Sequence, residues 1–278
     1  MTSLRAIPAF MDAETVARID ARLDAIRGAN GVSIPLAIKS GSRAWGFPSP
    51  DSDYDCRFFF IRPIEEYLSP WQRRDVIETP LEGAFDVNGW DLGKAVRLLL
   101  KGNATVIEWL TSPITYEGDG PFREEMLALA KAVARRNLVA RHYLHLGERQ
   151  RRAYFIDGKP VPQKKIFYAL RPASALRWLR HHPAEAVAPM HFPTLMAECH
   201  APAEVIAITQ DLMARKAVAR ELGEEPLPPA IGAFIDSEFD LAREGFAKDG
   251  EDTASEENRA RAEAFHLAAL RRLAPDRV

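Results

Sequence analysis

Asp53 and Asp55, two aspartates separated by one residue, have the types and spacing best suited to chemistry in this sequence. They stand at the head of an aromatic segment that predicts a β-strand, and residues two apart on a strand project from the same face, about 6 to 7 Å apart. Two such carboxylates repel each other unless a cation lies between them, and hard oxygen ligands favour Mg²⁺. The pair therefore predicts a metal site, with Mn²⁺ as the alternative ion.

A third carboxylate on a neighbouring strand would complete a site for two ions, which suits phosphoryl or nucleotidyl transfer. We assign this role to Asp86, in the predicted strand AFDVN. Asp91 is the competing candidate, but it directly precedes the helical segment LGKAVRLLL and is better explained as a helix cap. The candidate catalytic and metal-binding residues are therefore Asp53, Asp55 and Asp86.

The dipeptide Gly41-Ser42 closes a predicted strand eleven residues before Asp53. A glycine at a turn lets backbone N–H groups approach a phosphate, and the serine hydroxyl adds a donor. Arg43 offers a fork of donors for a phosphate oxygen, although an arginine after a turn is as often exposed or paired with a carboxylate. Gly-Ser alone is a weak signal, and it gains weight only in combination with the downstream aspartates.

Residues 40–60 resemble the nucleotidyltransferase superfamily related to DNA polymerase beta, whose signature is Gly-Ser followed by Asp-x-Asp. Three segments are similar to the predicted bacterial nucleotidyltransferase family often called YcgL: residues 41–46 (GSRAWG), residues 87–92 (VNGWDL), and Lys164-Lys165 with residues 170–172 (LRP). The resemblance covers residues from about 33 to 180. It implies Mg²⁺ bound by Asp53, Asp55 and Asp86, and a nucleoside triphosphate, expected to be ATP, whose phosphates meet Gly41 and Ser42.

The helical segment KKIFYALRPASALRWLR carries the remaining candidates for nucleotide binding. Lys164, Tyr168 and Arg171 follow each other at spacings of four and three residues and so share one helix face. We expect Lys164 or Lys165, together with Arg171, to clamp the triphosphate. Tyr168 is the candidate for stacking on the base, whereas its aromatic neighbours Phe167 and Trp178 are better explained as core.

The elements that must position these residues predict an α/β (α+β) fold. A helix over residues 13–28 with Asp12 as its cap precedes predicted strands over residues 33–39, 55–61, 76–79 and 84–88, which form a small mixed sheet flanked by helices. From about residue 121 onward helical periodicity dominates. We therefore predict a nucleotidyltransferase domain over residues 1–118 and an α-helical domain over residues 119–278.

Composition limits the functions further. The 278 residues carry 37 Lys and Arg against 39 Asp and Glu, a formal charge of −2, which disfavours a long nucleic-acid duplex as partner but leaves an RNA end open. The two cysteines lie far apart, and no apolar run reaches the roughly 18 residues of a membrane span. We expect a cytoplasmic protein without membrane contacts.

Together these observations favour transfer of an NMP group from an NTP to an acceptor hydroxyl, with release of pyrophosphate. The acceptor is left open between a protein, an RNA end and a small molecule. The alternative function is that of a catalytically inert nucleotide sensor or toxin–antitoxin component with the same fold.

Overall fold

The computed structural model describes residues 4–80, 83, 85–156, 158–246 and 254–276. The helices are α1 (Ala13–Asn30), α2 (Gly41–Trp45), α3 (Ile64–Leu68), α4 (Leu92–Leu100), α5 (Ala104–Thr111), α6 (Gly120–Val133), α7 (Arg136–Tyr154), α8 (Gln163–His181), α9 (Phe192–Glu198), α10 (Ala203–Val218), α11 (Pro229–Gly245) and α12 (Glu256–Leu273). The strands are β1 (Ser33–Lys39), β2 (Tyr54–Ile61), β3 (Val76–Glu78), β4 (Phe85–Asp91), β5 (Thr115–Gly118), β6 (Val161–Pro162) and β7 (Glu224–Glu225).

The main sheet of the described residues has the strand order β3-β4-β2-β1-β5. β2 and β4 run parallel, and the other neighbouring strands are antiparallel. The predicted α/β fold with a mixed sheet is confirmed. The start of the predicted strand 84–88 at Ala84 lies outside the described residues, and β4 extends beyond the predicted end, to Asp91.

Local sequence signals explain where the first helices begin and end. α1 buries Val16, Ile19 and Leu23 at helical spacing, and its N-cap Asp12 accepts a hydrogen bond from the Thr15 N–H. Asp91 is the N-cap of α4 and accepts from the Gly93 N–H, so the expectation that it caps a helix is confirmed. Its other carboxylate oxygen accepts from the Tyr67 hydroxyl at 2.8 Å.

An apolar core lies on each face of the sheet. Phe58 and Phe60 of β2 pack on the α1 side, whereas Phe59 and Ile61 face a larger core. This larger core continues from β1 and β2 through α4, α5 and the helices that follow residue 119, as far as α12. It therefore contains residues from both predicted domains, and the boundary between 118 and 119 stays a prediction.

Beyond residue 119 the described chain is helical apart from the two-residue strands β6 and β7, which pair with each other. The predicted helical C-terminal region is confirmed. Across the described ranges, every helix is too short or too polar to cross a membrane.

Candidate active site

The three candidate carboxylates are positioned by β2 and β4. The parallel register places Asp55 directly opposite Asp86, so their Cα atoms are about 4.8 Å apart, and Asp53 immediately precedes β2. Burial raises the pKa of Asp53, and the negative charges of Asp55 and, more weakly, Asp86 act in the same direction. The three carboxylates are therefore near enough to interact electrostatically.

Two cations of the chain itself bind Asp55 and Asp86. The Lys39 ammonium is fully buried and donates to Asp55 Oδ2 at 3.0 Å. Burial lowers the pKa of Lys39 to about 8, although the charge of Asp55 acts in the opposite direction. Arg57 Nη2 lies 2.5 Å from Asp86 Oδ2 and 3.7 Å from Asp55 Oδ1, and the Asn88 amide donates to Asp86 Oδ1.

The Gly-Ser turn packs directly against Asp55. Gly41 has a φ of +70°, and a Cβ atom there would lie 2.1 Å from Asp55 Oδ2. The Ser40 N–H also donates to the Asp55 carbonyl at 2.9 Å. Only glycine lets the first turn of α2 approach the carboxylate this closely.

A cavity of about 400 Å³ opens beside this turn. It brings together the predicted residues Gly41, Ser42, Asp53, Asp55, Lys164 and Tyr168. Its other lining residues are Trp45, Phe47, Ser49, Asp51, Ser52 and Lys216. The cavity thus combines carboxylates from the sheet with lysines and an aromatic ring from α8 and α10. Asp86 is outside this lining.

The two lysines of the cavity are held by different partners. Lys164 Nζ lies 3.3 Å from Asp51 Oδ2 and 3.3 Å from Glu221 Oε1. Lys216 is buried and donates to the Phe47 carbonyl at 2.6 Å. Burial lowers the pKa of Lys216 to about 8, and the positive charge of Lys164 acts in the same direction.

Three predicted nucleotide-binding residues are outside the cavity lining. Arg43 donates to the Ser52 carbonyl, and its guanidinium lies 4.4 Å from the centre of the Tyr54 ring. The Lys165 ammonium lies 5.0 Å from the centre of the Tyr168 ring. Arg171 is buried and forms an ion pair with Glu108 of α5 at 2.5 Å, so its guanidinium is bound by a carboxylate of the chain itself.

Sequence reasoning missed Lys39, Arg57 and Lys216. A signal existed for the first, because Lys39 ends an apolar strand two residues before Gly41, where a buried charge requires a partner. Arg57 alternates with Asp53 and Asp55 on the same strand face, which is a second readable signal. No signal in the sequence indicates Lys216, since only the tertiary fold brings α10 to the cavity.

The donor set suits a hard divalent cation at Asp53 and Asp55. Both are carboxylates that line one cavity, and carboxylate oxygens are the ligands that such an ion prefers. Asp86 would have to release Arg57 to reach the same ion. Within the described ranges, no group of three or more His, Cys, Asp or Glu side chains is gathered at metal-ligand spacing. Asp53 and Asp55 are the carboxylates that would hold the ion, Asp55 alongside its contact with Lys39, whereas Asp86 lies outside the cavity and is bound by Arg57.

Comparison with known proteins agrees with this geometry. Residues 16–267 match the RlaP family, described as the RNA repair pathway DNA polymerase beta family. The chain is also 38% identical over 245 residues to the "Uncharacterized protein YcgL" of Bacillus subtilis (strain 168), an alignment that covers 87% of this chain and 93% of that protein. The match to the family spans the sheet, the Gly-Ser turn, Asp53, Asp55 and the helices that complete the cavity. The chain therefore belongs to the RNA repair pathway DNA polymerase beta family.

Proposed function

We propose that the protein is a Mg²⁺-dependent nucleotidyltransferase that transfers an NMP group from an NTP, with ATP as the expected donor, to an acceptor hydroxyl. The observation that carries the proposal is the cavity in which Asp53 and Asp55 share one space with Gly41, Ser42 and two lysines. Carboxylates, a glycine turn and ammonium groups are the components that phosphoryl transfer requires, because its catalysis is mainly positioning and electrostatic stabilisation.

Each part of the cavity then has a task. Asp53 and Asp55 would hold the divalent ion, which supplies charge neutralisation and lowers the pKa of the acceptor hydroxyl. The N–H groups at Gly41 and Ser42 and the ammonium groups of Lys164 and Lys216 bind triphosphate oxygens. Tyr168, which is partly exposed at the cavity, offers a ring for the base.

An RNA end is the acceptor that we favour. The family that this chain belongs to is described as acting in an RNA repair pathway. The net charge of −2 argues against a long duplex and is compatible with a short single-stranded end. A protein hydroxyl and a small molecule are the acceptors to be compared with it.

Incubation with each α-labelled NTP, Mg²⁺ and separate acceptor pools tests the proposal. We expect label on the acceptor and an equal amount of pyrophosphate. Asp53→Asn should lower the transfer rate by at least about 100-fold, because loss of a metal ligand exceeds the effect of losing its hydrogen-bonding partner. Asp24→Asn, which changes an exposed carboxylate on α1, is the matched control and should keep full activity.

The competing function is nucleotide binding without turnover. It is favoured by the ion pairs of Asp55 with Lys39 and of Asp86 with Arg57, which balance carboxylate charge without a metal. Isothermal titration with each NTP, run beside the pyrophosphate assay, separates the two functions. NTP binding without pyrophosphate release in any acceptor pool would reject the transferase and support the sensor.

A further inference from the structure

A second cavity, of about 520 Å³, lies at the end of the sheet opposite to the carboxylates. It is formed where β2 and β4 end and where the chain passes from α3 to β3. Its lining includes four arginines and two aromatic residues: Arg62, Arg73, Arg74, Arg97, Tyr67 and Trp71. We call it the arginine pocket.

The arginine pocket is distinct from the catalytic cavity. Asp91, which lines the arginine pocket, lies five positions after Asp86 on β4, and this corresponds to about 16 Å along the strand. The two cavities share no lining residue. Their ligand preferences can therefore be tested separately.

Three arginines of the pocket form only exposed ion pairs. Arg73 lies 3.5 Å from Glu66, Arg97 lies 3.2 Å from Asp75, and Arg74 pairs with Glu78. Their side chains are 64%, 63% and 68% exposed, respectively. Exposed ion pairs of this kind contribute only about 0 to 1 kcal/mol, so a phosphate can replace the carboxylate at little cost. These guanidinium groups are available to an anionic ligand.

One buried donor in the pocket lacks a partner. The Nε atom of Arg62 is buried and has no hydrogen-bond acceptor among the described residues, although the Nη atoms contact Glu66 and the Arg74 carbonyl. An unpaired buried N–H is costly, and such groups in native structures usually have an acceptor. A ligand oxygen in the pocket would supply one.

Trp71 provides the second kind of contact. Its side chain is 79% exposed, whereas Trp109 and Trp178 of the same chain are buried. An exposed indole beside arginines is the combination by which single-stranded nucleic acids are bound, since bases stack on the ring while guanidinium groups contact phosphates. A duplex would not offer its bases for stacking.

We propose that the arginine pocket binds single-stranded RNA, with phosphates on Arg73 and Arg74 and a base stacked on Trp71. The inference rests on the proposed function in its choice of RNA as the strand. The pocket would hold the acceptor strand at a distance from the carboxylates, so that binding of the strand and transfer to its end are carried by different residues.

Fluorescence anisotropy with a labelled RNA of about ten nucleotides tests this inference. No NTP or divalent ion is present, so the result does not depend on transferase activity. We expect the double variant Arg73→Ala/Arg74→Ala to bind the RNA about tenfold more weakly. A plot of the logarithm of the association constant against the logarithm of the salt concentration should become less steep by about 1.4, because two phosphate contacts are lost. Trp71→Ala should weaken binding about tenfold, and Trp71→Phe should restore most of the loss.

The matched control is Arg152→Ala/Arg243→Ala, which removes two arginines that are 73% and 50% exposed on α7 and α11. It should bind RNA like the parent protein. Equal losses in both arginine pairs would show non-specific attraction and overturn the inference. Undiminished binding by Arg73→Ala/Arg74→Ala would also overturn it, as would displacement of the RNA by equimolar ATP, which would assign the pocket to mononucleotides.

Discussion

At the scale of single residues, Gly41 is the point at which the Gly-Ser turn contacts the Asp55 carboxylate. Its positive φ and its contact with Asp55 both require the absence of a side chain. Gly31, at the end of α1, shares the positive φ, but a Cβ atom there would have no neighbour within 4 Å. Comparing substitutions at the two glycines therefore distinguishes the cost of the left-handed backbone from the cost of a collision with Asp55.

We expect Gly41→Ala to be more destabilising than Gly31→Ala. The left-handed backbone alone costs about 1 to 2 kcal/mol in either variant. Only the alanine at residue 41 also displaces the Asp55 carboxylate, which should lower both stability and NTP transfer. Urea denaturation measures the first effect and the transfer assay the second. Equal stability losses with unchanged transfer would show that Asp55 moves aside freely.

The protonation of Lys216 should make nucleotide binding depend on pH. Its pKa is lowered to about 8, so the ammonium is charged below that pH and neutral above it. A neutral amine no longer attracts the triphosphate, and NTP affinity should fall by up to about tenfold as the pH rises from about 7 to about 9. Titration calorimetry across this range measures the effect.

Lys216→Arg is the control for this prediction. An arginine remains protonated throughout, so the variant should show a much flatter dependence of NTP affinity on pH. An equally steep fall in the arginine variant would assign the titration to another group.

The sequence indicates the acidic part of the site better than the basic part. Asp53 and Asp55 are placed together because the alternation of side chains along a strand is a local pattern, and both line the cavity. Lys216 is 163 residues from Asp53 in the chain and reaches the cavity only through the packing of α10. Arg171 shares a helix face with Lys164, yet a buried guanidinium turns to the nearest carboxylate, and the sequence does not indicate that this is Glu108.

At the scale of elements, the Glu108–Arg171 pair joins α5 to α8. Both side chains are buried, the Tyr143 hydroxyl contacts the Glu108 carboxylate at 3.3 Å, and the Arg171 guanidinium lies 4.2 Å from the centre of the Trp45 ring. The pair thus also supports α2, which carries the Gly-Ser turn. Its contribution is structural rather than a contact with the cavity.

We expect Glu108→Gln to destabilise the protein by about 3 to 5 kcal/mol, because it leaves the Arg171 charge buried without a counter-charge. Replacing both partners, as in Glu108→Gln/Arg171→Met, should recover most of that loss, since no buried charge remains. Chemical denaturation of the single and double variants forms the test. Additive losses would contradict the buried-pair interpretation and indicate that each side chain acts independently.

The helices and strands can be predicted from the sequence where a single local signal, such as periodicity or a capping residue, is strong. α1, β1, β2 and the cap of α4 follow from periodicity, strand composition and a capping aspartate. The fifth strand, β5, was not predicted, because its four residues are too short for a periodic signal and are defined by pairing with β1. Sequence patterns thus indicate elements with local signals, whereas short strands depend on their neighbours.

At the scale of the whole molecule, the larger core crosses the predicted boundary between residues 118 and 119. Leu36 of β1 and Phe122 of α6 belong to the same buried cluster as Leu176 of α8. The cavity beside the Gly-Ser turn is likewise lined from both sides of the boundary. A shared core indicates that the two predicted domains gain their stability together.

We therefore expect the chain to unfold in one cooperative transition. Trp90 and Trp109 stack with their ring centres 4.1 Å apart. In a variant in which the other three tryptophans, Trp45, Trp71 and Trp178, are replaced by Phe, tryptophan fluorescence reports on the sheet, whereas far-UV circular dichroism mainly reports on the helices. Both signals should share one urea midpoint. Leu176→Ala should lower stability by about 2 to 5 kcal/mol and shift both midpoints equally, although the substitution lies in α8. If only the dichroism midpoint moved, the helical part would be an independent unit, and the cavity would lie between two separately folding domains.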